Sequence, residues 1–388
     1  MSVEPSAGRL PSLTSLRFLL SIPVIWYHMS YVSGIFDGSL HKALGIVAPF
    51  GAGAVSGFFV LSGFVLTWAH RPGDRPGGFW RRRWWKIFPN HLLAWTMTLV
   101  LFAVAASEIP IPAPPGDGTG AAVASLFLVQ DWIPDIDVYS GFNTPAWSIS
   151  CEVFFYALFP ALIVVAHRIP VRRLRSVWTA LAVLIVVMPL VSAAIPGPKL
   201  YDWLPINERS LWFIYVFPPV RLLEFLLGIA TARLIQTGTW PHVRRRYLAV
   251  SVFVFFTVLP SLPPQYAMGS AMAPAFAVII ARLALADLQG RSRRLLRPAL
   301  ITLGDSSFAL YLTHFPLMMA VVYAIGPDPD LAPWVGFAIV LGLIAVALAL
   351  SVVIYRYFEL PLMRRWSGGR QTLAPPQPAP APTRASST

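Results

Sequence analysis

The chain has 388 residues, of which 56% are hydrophobic and only 12% are charged. Because soluble globular proteins carry about 25% charged residues, this composition excludes an ordinary soluble domain and indicates a membrane protein. The formal net charge of +13 would suggest nucleic-acid binding in a soluble protein. Here the basic residues stand in short loops between apolar runs, so membrane topology explains them and no nucleic-acid partner is predicted. The single cysteine, Cys151, excludes an internal disulfide and a cysteine-based metal cluster, and no metal site is predicted.

Apolar runs of about 17 residues or more, long enough to cross a bilayer, recur along the chain. They predict an all-α fold, a polytopic membrane helix bundle with about ten transmembrane helices. The predicted spans lie near residues 13–31, 46–69, 90–107, 147–167, 177–195, 211–234, 247–263, 266–286, 302–325 and 333–357. The first run lacks a small-residue cleavage site and is therefore interpreted as a helix and not as a signal peptide. The shorter apolar run at 121–130 is interpreted as a re-entrant or interfacial segment.

Positive charge alternates between successive loops. With a cytoplasmic N-terminus, the cytoplasmic loops contain all the basic clusters, which lie within 71–86, 168–175, 233–246, 291–297 and 364–384. The opposite loops contain only Lys42, Lys199 and Arg209, and the largest of them is acidic. This alternation predicts that both termini are cytoplasmic. We therefore divide the chain into a cytoplasmic segment at 1–12, a transmembrane domain at 13–366 and a Pro/Ala/Ser-rich, disordered cytoplasmic tail at 367–388.

A dense basic and aromatic stretch, FWRRRWWKIFP at 79–89, stands between two long apolar runs. Its four cations, Arg81, Arg82, Arg83 and Lys86, indicate an anion-binding collar at the membrane surface. Lipid headgroups and a phosphorylated substrate are the two anions that this collar could bind.

Ionisable residues inside predicted spans are costly and usually functional. His28 lies near the outer end of the first span, and Glu152 lies near the outer end of the fourth, so we expect them at a similar depth. Imidazole titrates near neutrality and suits a general base for a hydroxyl, and a carboxylate such as Glu152 could orient it. Arg17 lies near the inner end of the first span, on the side of the basic collar.

The remaining intramembrane ionisable residues are assigned as possible support. Arg221 and Glu224 are three residues apart on one predicted helix and could pair, as could Arg356 and Glu359 near the end of the last span. His314 lies near the middle of the ninth span. For all of them, a structural ion pair or an interhelical hydrogen bond explains the residue as well as a catalytic role does.

Seven segments occur in an order that resembles the acyltransferase-3 family of integral-membrane acyltransferases, from about Leu13 to Trp366. They are LTSLRFLL followed by His28, GFFVLSGFVLT (57–67), the basic stretch leading to Pro89, PAWSISCEVFFYALFP (145–160), RLLEFLLGI (221–229), LGDSSFALYLTHFP (303–316) and YRYFELP (355–361). The resemblance implies an acyl-CoA-dependent enzyme of the cell membrane that places acetyl or short acyl groups on hydroxyls of sugars, polysaccharides or macrolide antibiotics.

The resemblance also implies roles for particular residues. His28 matches the family's catalytic histidine, and an R-x-x-R pair at the cytoplasmic face is expected to hold acyl-CoA. Here that pair reads Arg83-x-x-Lys86, and lysine lacks the bidentate fork that suits phosphate, so Arg82 and Arg17 are added to the donor-binding set. Some relatives carry an appended esterase-like domain that is not seen here, so we expect the acyl group to pass directly from acyl-CoA to the acceptor. A ping-pong route, in which a protein residue first accepts the acyl group, is the alternative.

The acceptor is predicted from composition and from the resemblance. Abundant Ala, Arg, Pro and Val with little Lys is typical of GC-rich actinomycete genomes, in which antibiotic-tailoring members of the family occur. We therefore expect a macrolide-type or other glycosylated secondary metabolite, with a cell-surface polysaccharide or glycolipid as the alternative. A permease or flippase without chemistry is the alternative from another class, although no convincing repeat relates the two halves of the sequence.

Overall fold

The computed structural model describes residues 10–46, 48–71, 73–105, 118–200, 205–241, 261–267, 270–326 and 331–367. These residues fold into α-helices joined by short turns, and no β-strand occurs among them. In chain order the helices are α1 (Pro11–Tyr27), α2 (Gly38–Gly45), α3 (Ala48–Ala69), α4 (Pro76–Ala105), α5 (Thr119–Leu126), α6 (Ile136–Tyr139), α7 (Trp147–Arg168), α8 (Val171–Ala193), α9 (Glu208–Tyr215), α10 (Pro218–Gln236), α11 (Pro264–Ala267), α12 (Ala273–Leu288), α13 (Pro298–Asp305), α14 (Ser307–Ile325), α15 (Pro333–Ile354) and α16 (Leu360–Trp366). The all-α helix bundle predicted from the sequence is confirmed.

Seven helical segments within the described residues are long and apolar enough to cross a membrane. They are Gly38–Ala69, Pro76–Val104, Thr144–Arg168, Val171–Ala193, Glu208–Gln236, Ser307–Ile325 and Pro333–Trp366. Each of them overlaps one of the ten predicted spans. The total of ten and the cytoplasmic position of both termini stay predictions, because most of the span at 247–263 and most of the terminal segments 1–12 and 367–388 lie outside the described residues.

Two predicted spans take a different form from the seven. The first is helix α1 continued by a π-helical turn, His28–Val32, so that the helical stretch covers 13–31 as predicted. The predicted span at 266–286 corresponds to α12, which has 16 residues. The short apolar run at 121–130 forms helix α5 and the start of a 3-10 turn, in keeping with its interpretation as a non-spanning segment.

The basic stretch at 79–89 belongs to helix α4, which runs without a break through Pro89. A helix of 30 residues is about 45 Å long, whereas the hydrocarbon core of a bilayer is about 30 Å thick. The cations therefore lie on an extension of a spanning helix and not on a separate surface segment. As a consequence, successive cations point in different directions around the helix axis.

Helices α3 and α10 pack so closely that their backbones touch. A Cβ atom added at Gly63 of α3 would collide with the backbone of Phe225, and one added at Gly228 of α10 would collide with the backbone of Val60. Small residues are the usual means by which membrane helices approach each other, and the glycine-rich segment 51–63 includes one of these contacts. Helix α1 packs against α3 and against α13, where Gly304 meets the backbone of Thr14.

Candidate active site

A cavity of about 260 Å³ opens beside the end of α1. His28 lines it and is the first residue of the π-helical turn, which closes with a 2.9 Å hydrogen bond from the Ser33 N–H to the His28 carbonyl. The other lining residues come from α1, α3, α6, α7, α9, α14 and the turns next to these helices. π-Helical turns inside α-helices occur frequently at functional sites, and this one sets the direction of the His28 side chain.

A second histidine fixes the imidazole of His28. His28 Nδ1 lies 3.0 Å from Nε2 of His314, which is fully buried on α14, and Nδ1 of His314 lies 3.2 Å from the carbonyl oxygen of Leu310. A carbonyl can only accept, so in the neutral pair Nδ1 of His314 carries the proton and its Nε2 accepts the N–H of His28. This network leaves Nε2 of His28 with a free lone pair, as a general base requires.

Glu152 does not contact His28, which contradicts the expected pair. Glu152 and Tyr156 are four residues apart on α7 and share a face; the Tyr156 hydroxyl is 3.0 Å from Ser62 Oγ. The charged neighbours of Glu152 are Arg17, Arg83 and Lys86. Glu152 is also absent from the described residues that line the cavity. His28 and Glu152 have a similar predicted depth in the membrane, but Glu152 lies on the face of α7 that points towards α4. The position next to His28 that was expected for Glu152 is occupied by His314.

Lys86 is paired with a carboxylate of the protein. Its ammonium bonds to Glu359, which is 1% exposed and also accepts a 2.6 Å hydrogen bond from Asn90 Nδ2. The expected pair between Arg356 and Glu359 is contradicted, since Arg356 is exposed while Glu359 is buried. Both belong to a π-helical turn, Tyr355–Glu359, in which hydrogen bonds run to the fifth residue, so residues three apart no longer share a face.

Two arginines without such partners lie beside this pair. Arg17 and Arg83 are within electrostatic range of each other and of Glu152. Among the described residues, neither guanidinium forms a hydrogen bond or an ion pair, and Nε of Arg83 is buried without a hydrogen-bond partner. The neighbouring Arg82, in contrast, lies 3.5 Å from Asp74 near the surface. Glu152 and Asp305 lie within electrostatic range, but among the described residues neither forms an ion pair with Arg17 or Arg83, and two adjacent cations in this state favour binding of an anion.

Helix α1 connects the arginines with the cavity. Arg17 and His28 are eleven residues apart, which amounts to about three full helical turns and a rise of about 16 Å. At 100° per residue the two side chains project within about 20° of each other. One face of α1 therefore carries a cation at one end and the candidate base at the other.

The Arg221–Glu224 pair lies behind the cavity wall. Both side chains are fully buried, and Nη1 of Arg221 is 3.2 Å from Oε1 of Glu224. The guanidinium also donates to Ser56 Oγ at 3.3 Å and lies 5.7 Å from the centre of the Trp147 ring, which lines the cavity. The pair thus supports a wall of the cavity and does not itself line it.

Three site residues were not predicted from the sequence. Tyr156 contacts the arginine cluster, with its ring 5.9 Å from the Arg83 guanidinium, and its spacing of four from Glu152 was a usable signal. Trp147 and Asp137 line the cavity. Trp147 belongs to one of the seven segments that resemble the family, and Asp137 lies in the acidic outer segment, but neither signal by itself indicates a cavity.

A membrane helix bundle that holds a histidine pair in a cavity at one end of α1, and two neighbouring arginines of α1 and α4 towards its other end, has the parts of a transferase. Comparison with known proteins defines the class. A family model described as an acyltransferase domain matches residues 10–356. The chain belongs to this acyltransferase-3 family and is a membrane O-acyltransferase. No solved structure shows significant similarity to it.

Individual relatives differ in how much of their length the chain covers. Acyltransferase MdmB of Streptomyces mycarofaciens is 35% identical over 383 residues, covering 97% of both chains. The O-acetyltransferase OatA of Staphylococcus aureus is 23% identical over 391 residues, covering 92% of this chain and 57% of OatA. YrhL of Bacillus subtilis, for which a peptidoglycan O-acetyltransferase activity is proposed, is 25% identical over 382 residues, covering 91% of this chain and 55% of YrhL.

Proposed function

We propose that this enzyme transfers an acetyl or short acyl group from acyl-CoA to a hydroxyl of a macrolide-type or other glycosylated secondary metabolite, at the cell membrane. The observation that carries the proposal is the His28–His314 pair, which leaves a free imidazole nitrogen in a cavity of about 260 Å³. A base in that state can remove the proton from an acceptor hydroxyl.

The donor side of the proposal rests on Arg17 and Arg83. Coenzyme A carries phosphate groups, and the guanidinium fork suits phosphate oxygens. Lys86 is already paired with Glu359, so Arg17 replaces it as the second donor cation, and Arg82 is available at the membrane surface. The pantetheine arm would follow the shared face of α1 over about 16 Å and bring the thioester to His28.

The proposed reaction is a direct transfer. The acceptor oxygen attacks the acyl carbon while its proton passes to Nε2 of His28, and the hydrogen bond to His314 stabilises the resulting imidazolium. The carbon–sulfur bond then breaks, and the leaving thiolate takes the proton from Nε2, which restores the neutral histidine. The products are the acyl ester and free coenzyme A.

The choice of acceptor rests on the comparison of lengths. MdmB matches this chain from end to end, whereas OatA and YrhL are nearly twice as long as the part that matches. Similarity over nearly the whole of both chains to MdmB, an acyltransferase of Streptomyces, supports a secondary metabolite as the acceptor. A cell-surface polysaccharide is the second candidate, because the relatives named as O-acetyltransferases include one linked to peptidoglycan.

The test uses purified protein in nanodiscs with radiolabelled acetyl-CoA and a panel of macrolides and glycans. We expect label on one acceptor class, loss of transfer in His28→Ala and normal transfer in His167→Ala, a control histidine that is exposed at the end of α7. Retained turnover in His28→Ala contradicts the assignment of the base, and stable label on the protein indicates a ping-pong route. If the protein neither binds nor consumes CoA, a permease or flippase becomes the better explanation.

A second arm of the experiment examines the donor site. We expect Arg83→Gln to raise the KM for acetyl-CoA about tenfold or more, since a charge-assisted hydrogen bond to phosphate contributes about 1.5–3 kcal/mol. The matched control is Arg81→Gln, because Arg81 belongs to the same basic stretch but is exposed. Equal effects of the two substitutions would contradict a specific donor site at Arg83.

A further inference from the structure

The walls of the cavity around His28 combine several aromatic rings with one carboxylate. Six aromatic side chains line it: Tyr27, Tyr139, Trp147, Tyr215, Tyr311 and Phe315. Among the described residues of the lining, the only Asp, Glu, Lys, Arg or His side chains are His28 and Asp137. The Asp137 carboxylate is therefore the one group of this kind that can carry a negative charge. A carboxylate set among aromatic rings is the combination that recognises an organic cation, because ring faces carry negative partial charge.

The position of Asp137 is set by the local backbone. Asp135 caps the short helix α6 by accepting a 2.9 Å hydrogen bond from the Asp137 N–H. Glu208 accepts a 2.8 Å hydrogen bond from the N–H of Ile136, which ties the start of α6 to α9. These two contacts use the side chains of Asp135 and Glu208, whereas the carboxylate of Asp137 forms no hydrogen bond or ion pair with the described residues.

The electrostatic surroundings of Asp137 favour a cation. Partial burial, followed by the nearby carboxylates of Asp135 and Glu208, raises the pKa of the Asp137 carboxyl above its ordinary value. A cation bound at Asp137 would relieve this repulsion. Arg221, a buried cation behind the cavity wall, is already paired with Glu224 at 3.2 Å.

We propose that the cavity recognises a protonated amine of the acceptor through Asp137 and the surrounding aromatic rings, and that it presents a hydroxyl of the same acceptor to His28. This inference rests on the proposed function and names its acceptor class: an amine-bearing glycosylated molecule, such as one with an amino sugar. A cavity of about 260 Å³ is smaller than the roughly 300–1,000 Å³ that encloses a drug-sized ligand. One sugar-sized portion of a larger acceptor therefore enters, while the remainder stays at the opening.

The experiment measures binding without an acyl donor, so that it does not depend on turnover. Isothermal titration of the nanodisc-embedded protein compares tylosin, a macrolide with a dimethylamino sugar, with its N-oxide, which keeps the shape but has no net charge at neutral pH. Wild type is expected to bind tylosin at least tenfold more tightly than the N-oxide. Asp137→Asn should weaken tylosin binding about tenfold and leave N-oxide binding unchanged.

Asp135→Asn is the matched control, since it removes a neighbouring carboxylate but keeps the side-chain oxygen that caps α6. It should change the tylosin Kd by less than about threefold. The proposal is overturned if wild type binds neither compound, if it binds both equally, or if Asp137→Asn weakens both to the same degree. If the protein binds the amine selectively but transfers no acyl group, the proposed function is contradicted and the proposed amine-binding site is supported.

Discussion

At the scale of single residues, the state of His28 depends on a neighbour that is remote in sequence. The bond from His28 Nδ1 to Nε2 of His314 is 3.0 Å long, and the bond from His314 to the Leu310 carbonyl fixes which nitrogen carries each proton. Because His314 is fully buried, its ring cannot turn to water when His28 changes protonation. We therefore regard His314 as a positioning residue for the base.

The positioning role predicts a graded response to substitution. His314→Ala should lower kcat about tenfold to a hundredfold with little change in either KM, since general-base catalysis contributes about 10²–10⁴-fold and only its orientation is lost. His314→Gln should recover part of the rate, because an amide oxygen can accept the His28 N–H. The measurement is steady-state acyl transfer with the extent of folding checked by size-exclusion chromatography. Equal losses in Ala and Gln, or a change in KM alone, would contradict a role in orienting His28.

The error over Glu152 also belongs to the residue scale. The sequence indicates how far along a span a residue lies, but not which neighbour its face meets. In a soluble protein the polar face of a helix points to water and the apolar face to the core, so the sequence shows which side is buried. In a bilayer both the lipid-facing and the core-facing sides are apolar, so the sequence does not show it. Thus His28 and Arg83 could be singled out from their residue types, while the partner of His28 required the packing of α1 against α14.

At the scale of elements, the close contact between α3 and α10 holds the centre of the bundle. Gly63 and Gly228 each face the backbone of the opposite helix, and Arg221 on α10 reaches Ser56 on α3. The same two helices therefore fix the wall of the cavity at Trp147 through the buried ion pair. Loss of this approach should disturb the site as well as the fold.

Gly63→Ala is predicted to destabilise the protein by about 1–3 kcal/mol, as overpacking a tight interface does, because the added methyl group would meet the Phe225 backbone. Gly342→Ala on α15 is the matched control, since it has no atom within 4 Å of the added Cβ; it should be neutral or slightly stabilising. The thermal midpoint in detergent is the measurement. A decrease of the same size in both variants would argue against the close contact as the cause.

The helices themselves were the most predictable part of the fold. Length and hydropathy predicted spans that overlap all seven long apolar helical segments of the described residues. The prediction succeeds because every backbone polar group in lipid must be bonded within its own helix. The π-helical turns at His28–Val32 and Tyr355–Glu359 could not be predicted in this way. They depend on packing, and it was such a turn that separated Arg356 from Glu359.

At the scale of the whole molecule, the proposed chemistry requires a definite orientation in the membrane. Acyl-CoA is a cytoplasmic metabolite in the reaction proposed here, so the Arg17–Arg83 end of α1 must face the cytoplasm and the His28 end the opposite side. The positive-inside rule gives the same orientation, and it does so also from basic loops that are not part of the donor site, at 168–175, 233–246, 291–297 and 364–384. The proposed donor site is therefore correct only if this orientation is correct.

This orientation predicts the accessibility of introduced cysteines. The native Cys151 is fully buried, so wild type should not react with a membrane-impermeant maleimide. Lys199→Cys, at an exposed position between α8 and α9, should be labelled in intact cells, whereas Arg291→Cys, at an exposed position after α12, should be labelled only after permeabilisation. The reverse pattern would place Arg17 and Arg83 outside the cell, where they could not meet acyl-CoA. In that case the proposed donor site at Arg17 and Arg83 would be wrong even if His28 proved essential. The two assignments can fail separately because Arg17 and His28 lie about 16 Å apart along α1, which is about half the thickness of the bilayer core.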